Sequence, residues 1–512
     1  MLLDDLVRTS REVTATRSRN RKTAVLAALL ARLEPAEVAP AVAFLAGEVR
    51  QGRIGVGWAA LRQVAPPPAA APSLTIARVD AALTDLARLT GSGSGAARRR
   101  VLEELFARAT EDEQRYLRAL LLGELRQGAL EGVMVEAVAA AGSVPAEAVR
   151  RALMLSGRLA EATTAALTGG EPALAAFGLR VGRPVRPMLA SPAESLAEAL
   201  RELARPVVEY KLDGARIQVH RDGDAVRVFT RTLREVTDGV PELVEVVRAL
   251  PCRSVVLDGE TLALTDAGTP RPFQETMSRF GAASPRELLL RPYFFDCLHL
   301  DGTDLLDAPL GERRAALGAV AGEHRMPALE EPDEDAAERM MGRALAEGHE
   351  GVMVKSLDGR YAAGRRGRSW RKVKPAHTLD LVVIAAEWGS GRRVGTLSNL
   401  HLGARDPDGG EPVMVGKTFK GLTDELLAWQ TRELLAREVG RDGHAVLVRP
   451  ELVVEIELDG VQTSPRYPGG VALRFARVLR YRPDKGPAEA DDLTAVRAML
   501  PGEAGRAGRA GE

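Results

Sequence analysis

The sequence predicts a multi-domain protein with an all-α N-terminal region, an α+β core and a C-terminal β-barrel. Three observations predict this order. The 512 residues are too many for one hydrophobic core of ordinary size. Apolar residues recur at helical spacing up to about residue 179, whereas β-rich segments follow Pro184 and short strands with glycine turns follow about residue 379. The expected units are a helical domain at 1–180, an α+β domain at 181–378, a barrel at 379–500 and a disordered Gly/Ala/Arg-rich tail at 501–512.

The N-terminal region carries both helix and loop signals. One stripe at helical spacing is formed by Leu117, Leu120, Leu121 and Leu125. Thr110 and Glu113 have the spacing of a capping box, which predicts that a helix starts there. The runs 91–95 (GSGSG) and 66–72 (PPPAAAP) cannot extend a helix, so we expect them to be loops.

The core carries strand signals. Residues 207–210, 217–220 and 226–229 are rich in the apolar and β-branched side chains that strands favour. Asp222-Gly223 between the last two is typical of a tight hairpin turn. The pattern therefore predicts a strand followed by a β-hairpin.

The C-terminal part is predicted to be a small barrel. Short strand-like segments recur at residues 381–384, 413–415 and 452–457, separated by glycine turns. Residues 424–437 have a helical pattern. About 130 residues of this kind suit a β-barrel with one inserted helix.

The composition is that of a soluble globular protein, at 45% apolar and 27% charged residues. No apolar run approaches the roughly 18 residues that span a bilayer. The start of the chain has no signal-peptide pattern, so we expect a cytoplasmic protein without membrane contact. Cys252 and Cys297 are too few for a disulfide framework or a four-cysteine zinc site, and we expect both to be buried.

The net charge does not by itself favour a nucleic acid partner. The 70 basic and 70 acidic residues give a formal charge of zero. Basic clusters at residues 17–22, 98–100 and 365–372 are local candidates for phosphate contacts. Each of them, taken alone, is more often a solvated face.

Residues 209–216 (EYKLDGAR) place Lys211 at the end of a predicted strand. An ammonium group held out of bulk water beside other cations can lose its proton and attack phosphorus. A bare Lys-x-Asp-Gly string is more often a surface turn, so the residues that accompany Lys211 must decide between the two readings.

Four further segments follow Lys211 in order. They carry two carboxylates, a flat aromatic side chain and two lysines on one side of a strand. The segments are 257–260 (LDGE), 293–296 (YFFD), 350–355 (EGVMVK) and 370–374 (WRKVK). Adenylyl transfer needs a nucleophile, carboxylates that hold Mg²⁺ against phosphate, an aromatic group for the base and cations for the α-phosphate. We therefore predict that these segments form one pocket.

In order and spacing, the string from Glu209 to Lys374 resembles the nucleotidyltransferase motifs of the ATP-dependent DNA ligases. The likeness extends to residues 230–237 (TRTLREVT), and residues 473–485 (LRFARVLRYRPDK) resemble the last motif of the ligase oligonucleotide-binding (OB) domain. The N-terminal region, with residues 123–128 (GELRQG), is similar to the family's DNA-binding domain, but less specifically. The resemblance implies an all-α DNA-binding domain, an ATP-grasp-like α+β adenylation core and a C-terminal OB-fold.

The resemblance also implies a role for each site residue. Lys211 is the expected catalytic nucleophile that takes AMP, and Glu260 and Glu350 are expected to organise the metal. The expected nucleotide contacts are Glu209 to the adenine amino group, Phe295 to the adenine face, Arg216 to ribose or phosphate, Arg231 to the ribose and later to the nick phosphate, Glu260 beside the nucleotide, and Arg366, Lys372 and Lys374 to the phosphates. Arg365 and Arg368 compete with Arg366 for its place.

Four more residues have roles implied by the resemblance outside this pocket. Asp213 shapes the turn after the nucleophile. Asp380 lies at the expected hinge between the core and the barrel. Arg477 and Lys485 are expected to reach the ATP pyrophosphate when the barrel closes.

The implied reaction has three displacements. Lys211 attacks the α-phosphate of ATP and releases pyrophosphate, AMP moves to the 5′-phosphate of a nick, and the 3′-hydroxyl displaces AMP. The implied cofactors are ATP and Mg²⁺ or Mn²⁺. The implied partner is nicked double-stranded DNA, bound by a monomer during replication, repair or recombination.

Three alternative functions account for the sequence less well. An NAD⁺-dependent ligase carries a four-cysteine zinc module, which two cysteines cannot build. An RNA ligase or capping guanylyltransferase does not account for the large helical N-terminal region. A DNA-end scaffold without catalysis has no chemical need for Lys211, Glu260 or Glu350.

Overall fold

The computed structural model describes residues 1–52, 54–91, 93–125, 131–266, 268–271, 273–280, 288–363, 366–390 and 393–500. The tail predicted to be disordered, 501–512, lies outside these residues. Within them, no helix combines the length and apolarity that crossing a bilayer requires.

The N-terminal region is helical, as predicted. The helices described here are α1 Leu3–Ala15, α2 Arg19–Leu30, α3 Pro35–Ala46, α4 Trp58–Arg62, α5 Ile76–Arg88, α6 Ser94–Ala107, α7 Glu111–Leu121, α8 Glu131–Gly142, α9 Ala146–Ser156 and α10 Leu159–Ala175. Their apolar faces share one buried cluster that runs from Leu3 to Leu174.

Local signals in this region were right about starts and less accurate about ends. Thr110 and Glu113 form the predicted capping box at the start of α7. The helix ends at Leu121, so the predicted stripe does not continue to residue 125. The predicted loop at 91–95 is also shorter than expected, because α6 begins at Ser94 after Gly93.

The α+β core contains two five-stranded sheets. Its elements are β1 Leu189–Pro192, α11 Leu196–Glu202, β2 Pro206–Lys211, β3 Ala215–Asp222, β4 Ala225–Thr230, α12 Pro241–Arg248, β5 Ser254–Ala263, α13 Phe273–Arg279, β6 Leu290–Leu300, β7 Thr303–Asp304, α14 Leu310–Val320, β8 Ala328–Glu330, α15 Glu334–Ala346, β9 Gly351–Ser356 and β10 Arg366–Val373. The first sheet has the order β1-β10-β9-β2-β8 and the second β4-β3-β5-β6-β7.

The predicted hairpin is confirmed as β3 and β4, which pair from Ile217 opposite Thr230 to Asp222 opposite Ala225. Gly223 in its turn has a φ of +58°, a conformation that glycine adopts without strain. The segment 257–260 lies within β5, which continues past Glu260 to Ala263. The reason is that β6 pairs with β5 as far as that residue, so backbone hydrogen bonding extends the strand.

The C-terminal part is built around one long strand. Its elements are β11 His377–Trp388, β12 Leu397–Ala404, β13 Val413–Thr418, α16 Asp424–Ala436, β14 Glu438–Asp442, β15 Ala445–Val448, β16 Val453–Leu458, β17 Gly460–Thr463, β18 Val471–Arg474, β19 Arg477–Tyr481 and α17 Leu493–Ala498. Strand β11 pairs with β12 on one side and with β16 and then β15 on the other. The inserted helix predicted at 424–437 is α16.

Helix α9 of the N-terminal region packs directly on the core. Met154 and Leu155 belong to a buried cluster that includes residues of both core sheets. Arg151 donates to both carboxylate oxygens of Asp307, at 2.6 and 2.7 Å. The cysteines are free; Cys297 is buried, whereas Cys252 is only half-buried, so the expectation of two buried cysteines was wrong for Cys252.

Candidate active site

Three neighbouring strands present the lysines and carboxylates of the site on one face. In the register of β2 and β9, Lys211 lies opposite Gly351 and Glu209 opposite Met353. In the register of β9 and β10, Lys372 lies opposite Met353. Directly paired residues point to the same face of a sheet. Strand pairing therefore puts residues that are far apart in sequence into one short array.

The second sheet supplies the other predicted residues. Arg216 on β3 lies opposite Glu260 on β5, and Phe295 lies on β6, the next strand. Phe295 and Trp370 of the first sheet meet edge to face, with ring centroids 5.8 Å apart. The two sheets therefore meet where the aromatic side chains of two of these motifs lie.

The motif glycines allow backbones to approach closely. A Cβ atom on Gly214 would lie 2.4 Å from the Thr261 carbonyl oxygen, and one on Gly259 would lie 2.8 Å from the Tyr293 carbonyl oxygen. A Cβ atom on Gly351 would lie 2.4 Å from the Val373 carbonyl oxygen. Each distance is far inside van der Waals contact, so only glycine fits at these three positions.

Lys211 forms an ion pair with Glu350, which follows α15 and directly precedes β9. Lys372 is close enough to be influenced by this pair. Burial, together with repulsion from Lys374 and Lys211, lowers the pKa of Lys372 below its usual value. Three lysine side chains therefore cluster near the end of β2, where Glu350 pairs with Lys211.

Glu260 completes the group around Lys211. Burial raises the pKa of Glu260 to about 7, against the opposing attraction of Lys211 and Arg216. A second cation or a metal ion would favour the ionised form. Among the described residues, no group of three or more His, Cys, Asp or Glu side chains could hold a metal ion on its own.

Glu209 lies between two buried cations. Arg314 of α14 donates to its Oε1, and the Lys355 ammonium lies 2.5 Å from its Oε2. The same ammonium lies 4.3 Å from the ring centroids of both Phe295 and Trp370. Neither Arg314 nor Lys355 was predicted as a site residue, although residue 355 ends the motif 350–355.

Arg216 is held by a buried carboxylate. Its Nε and Nη2 donate to Asp258 at 2.9 and 2.5 Å, and its Nη1 donates to the Met188 carbonyl at 2.6 Å. Tyr361 donates to the same carboxylate at 2.6 Å. Burial opposes the charge of Arg216, but Asp258 outweighs it and raises the pKa of the guanidinium. Sequence reasoning missed Asp258 and Tyr361, because an Asp in an Asp-Gly pair also predicts a turn.

The structure leaves Arg231 apart from this cluster. It lies exposed at the tip of the turn after β4. The neighbouring Leu233, at a φ of +64°, faces the end of α9, where a Cβ atom on Gly157 would lie 3.1 Å from its Cδ1. The backbone of Arg366 begins β10, but its side chain and that of Arg368 are outside the described part of the structure, as is Arg365.

The barrel reaches the same end of the pocket through residues that were not predicted there. Arg474 on β18 donates to both oxygens of Asp213, and Lys374 forms an ion pair with Asp459, which precedes β17. Arg474 was present in the motif at 473–485, but its spacing gave no sign of its partner.

The residues expected to meet the pyrophosphate lie elsewhere in this conformation. Lys485 is 2.5 Å from Asp380, and Arg482 donates to the same carboxylate at 3.1 and 3.2 Å. Arg477 is 3.8 Å from Glu457. Asp380 thus has two cationic partners from the last motif.

All three parts of the chain match known families. Residues 187–374 match the family described as ATP dependent DNA ligase domain. Residues 59–139 match DNA ligase N terminus, and residues 393–485 match ATP dependent DNA ligase C terminal region.

Close relatives and solved structures agree with these matches. A probable DNA ligase from Rhodococcus jostii (strain RHA1) is 67% identical over 503 residues, covering 98% of this chain and 100% of the relative. One from Saccharopolyspora erythraea is 68% identical over 497 residues, covering 97% and 98%. A solved structure described as Pmar-Lig_PreS3 aligns with 93% of this chain and 99% of its own, at a TM-score of 0.61 and 17% identity. This last likeness shows the fold alone.

Proposed function

The chain belongs to the ATP-dependent DNA ligase family, and we propose that Lys211 is the residue that accepts AMP. The enzyme uses ATP to join DNA. The observation that carries the assignment is the position of Lys211 at the end of β2, paired with Glu350 and close to Glu260 and Lys372. A lysine in this position is placed to attack the α-phosphate of bound ATP.

The other pocket residues bind and orient ATP in this proposal. Phe295 offers its face to adenine, and Glu209 accepts a hydrogen bond from the adenine amino group. Lys372 and Lys374 neutralise charge that develops on the phosphates. Arg216, fixed by Asp258, holds the ribose side of the pocket.

Glu260 and Glu350 are the proposed metal ligands. Mg²⁺ prefers oxygen ligands and is usually bound by one or two protein carboxylates together with substrate phosphates. Two carboxylates beside Lys211 fit that preference. When bound, the ion would draw negative charge from the triphosphate as pyrophosphate leaves.

We further propose that the DNA substrate is a nicked duplex, bound by one copy of the chain. Arg231 is exposed at the tip of its turn and is free to contact the phosphate at the nick. Arg366 is the proposed arginine contact to the ATP phosphates, and Arg365 and Arg368 are the alternatives for this role. Because its substrate is DNA, we expect the enzyme to act in the cytoplasm. The domain boundaries near residues 180 and 378 would let the helical and barrel domains hold DNA on both sides of the core.

A labelling experiment tests the central assignment. The wild type, Lys211→Ala and Lys417→Ala are incubated with α-labelled ATP and Mg²⁺ and then chased with nicked duplex DNA. Lys417 serves as a control because its ammonium pairs with Glu387 on the barrel. We expect label on the wild type and Lys417→Ala only, lost as the nick closes. Label on Lys211→Ala would contradict the assignment.

A further inference from the structure

The carboxylate of Glu209 pairs with two cations and is almost completely removed from water. Its side chain is 1% exposed, and those of its two cationic partners, Arg314 and Lys355, are 3% and 2% exposed. A buried carboxylate without partners would be strongly destabilised. The two cations therefore replace its hydration shell.

Each cation is itself held in place by a second group. Arg314 also donates from Nε to Glu330, at 3.0 Å. The Lys355 ammonium rests against Phe295 and Trp370, and residues 355 and 370 are directly paired across β9 and β10. Ammonium groups are attracted to aromatic faces. Burial nevertheless lowers the pKa of Lys355, against the attraction of Glu209.

We propose that Arg314 and Lys355 are positioning residues that keep Glu209 ionised and fixed, so that the pocket selects a purine with a 6-amino group over one with a 6-oxo group. This inference rests on the proposed contact between Glu209 and the adenine amino group. Arg314 and Lys355 act only through Glu209.

The selectivity follows from hydrogen-bond chemistry. An ionised carboxylate only accepts hydrogen bonds and has about four lone-pair sites, of which the cations use two. A 6-amino group donates to a remaining site, whereas a 6-oxo group is an acceptor and is repelled. If one cation is removed, the buried carboxyl favours its protonated form, which can donate to a 6-oxo group. Loss of a cation should therefore weaken discrimination and not only activity.

The measurement is the single-turnover rate of self-nucleotidylation with ATP and with inosine triphosphate, whose base differs at position 6. The variants are Lys355→Met, Arg314→Met, the charge-conserving Arg314→Lys and Glu209→Gln. The control is Arg279→Met, which removes a buried arginine that pairs with Glu242 on another part of the core. The ratio of the two rates is internal to each preparation, so a fraction of unfolded protein cancels.

We expect the ratio of ATP to inosine triphosphate use to fall about tenfold or more in Lys355→Met and Arg314→Met. It should stay near the wild-type value in Arg314→Lys and Arg279→Met. An unchanged ratio in both methionine variants, with a changed ratio in Glu209→Gln, would overturn this inference and leave the role of Glu209 intact. An unchanged ratio in Glu209→Gln would overturn the proposed base contact itself.

Discussion

Arg474 of the barrel donates two hydrogen bonds to Asp213 of the core, at 2.5 Å from Nη1 to Oδ2 and 3.2 Å from Nη2 to Oδ1. Asp213 lies two residues after Lys211, so this pair ties the barrel to the turn that follows the proposed nucleophile. The hydrogen bond from Arg474 to Asp213 raises the pKa of the guanidinium, which keeps it charged. The ion pair between Lys374 and Asp459 makes a second connection at the same end of the pocket.

The first prediction concerns this connection between barrel and core. Arg474→Ala, Asp213→Asn and the double variant form a double-mutant cycle, measured on kcat/KM for sealing nicked DNA. Because the pair is largely buried, we expect a coupling energy of about 1–2 kcal/mol. Arg480→Ala, which removes an exposed arginine from β19, is the control and should have little effect. Additive single effects would show that the contact does not contribute to sealing.

A second prediction concerns the close approach of β9 to the segment after β10. Gly351→Ala puts a methyl group 2.4 Å from the Val373 carbonyl oxygen, at a φ of +141° that favours glycine. We expect unfolding to become easier by about 2–4 kcal/mol and self-adenylation to fall, because Lys211 and Lys374 flank this position. The matched control is Gly178→Ala, because a Cβ atom added at Gly178 would have no atom of a non-neighbouring residue within 4 Å. Urea unfolding and labelling measure the two effects; a fully active, stable variant would contradict the argument.

A third prediction concerns the fully buried pair of Asp296 and Arg313. Arg313 donates to the carboxylate at 2.7 and 3.1 Å, and both side chains are 0% exposed. Asp296→Asn leaves an uncompensated buried charge, so we expect a loss of about 3–5 kcal/mol in the free energy of unfolding. The double variant Asp296→Leu with Arg313→Met should be less damaged than the sum of its single changes. Urea denaturation tests both expectations, and a single-variant loss below about 1 kcal/mol would refute them.

A fourth prediction concerns acid stability and His220. Burial, with repulsion from Arg227 and His299, lowers the pKa of His220 to about 3. The folded protein therefore keeps this ring neutral below its usual value of about 6.5, whereas the unfolded chain takes up a proton. Stability should fall as the pH drops from about 6.5 toward 3, by at most about 1.4 kcal/mol per pH unit.

His220→Gln removes this titration while offering polar atoms to Gly182 and Gln218, the present partners of the ring. Urea unfolding at pH 7 and pH 5 should show a smaller acid loss in the variant than in the wild type. Equal losses in the two proteins would mean that other groups govern acid stability.

The sequence by itself determined the order of the three parts and indicated several residues of the proposed pocket. Helical periodicity, the capping box at Thr110 and the hairpin at Asp222-Gly223 are local signals, and each was confirmed at its start or turn. Gly214, Gly259 and Gly351 stand in the sequence motifs, but the close backbone approaches that they allow are seen only in the structure. Element ends were less predictable: pairing with β6 carries β5 on to Ala263, and α7 ends at Leu121.

Only the tertiary structure decided which partners the site residues have. Strand pairing brings Glu209 next to Lys355, and packing of α14 brings Arg314 to the same carboxylate across 105 residues of sequence. The contact of Arg474 with Asp213 spans 261 residues. Local sequence patterns carry the chemistry of each side chain and its direction from a strand. Charge pairing across domains depends on how separately folded elements meet, and that information lies in the packing of the whole chain.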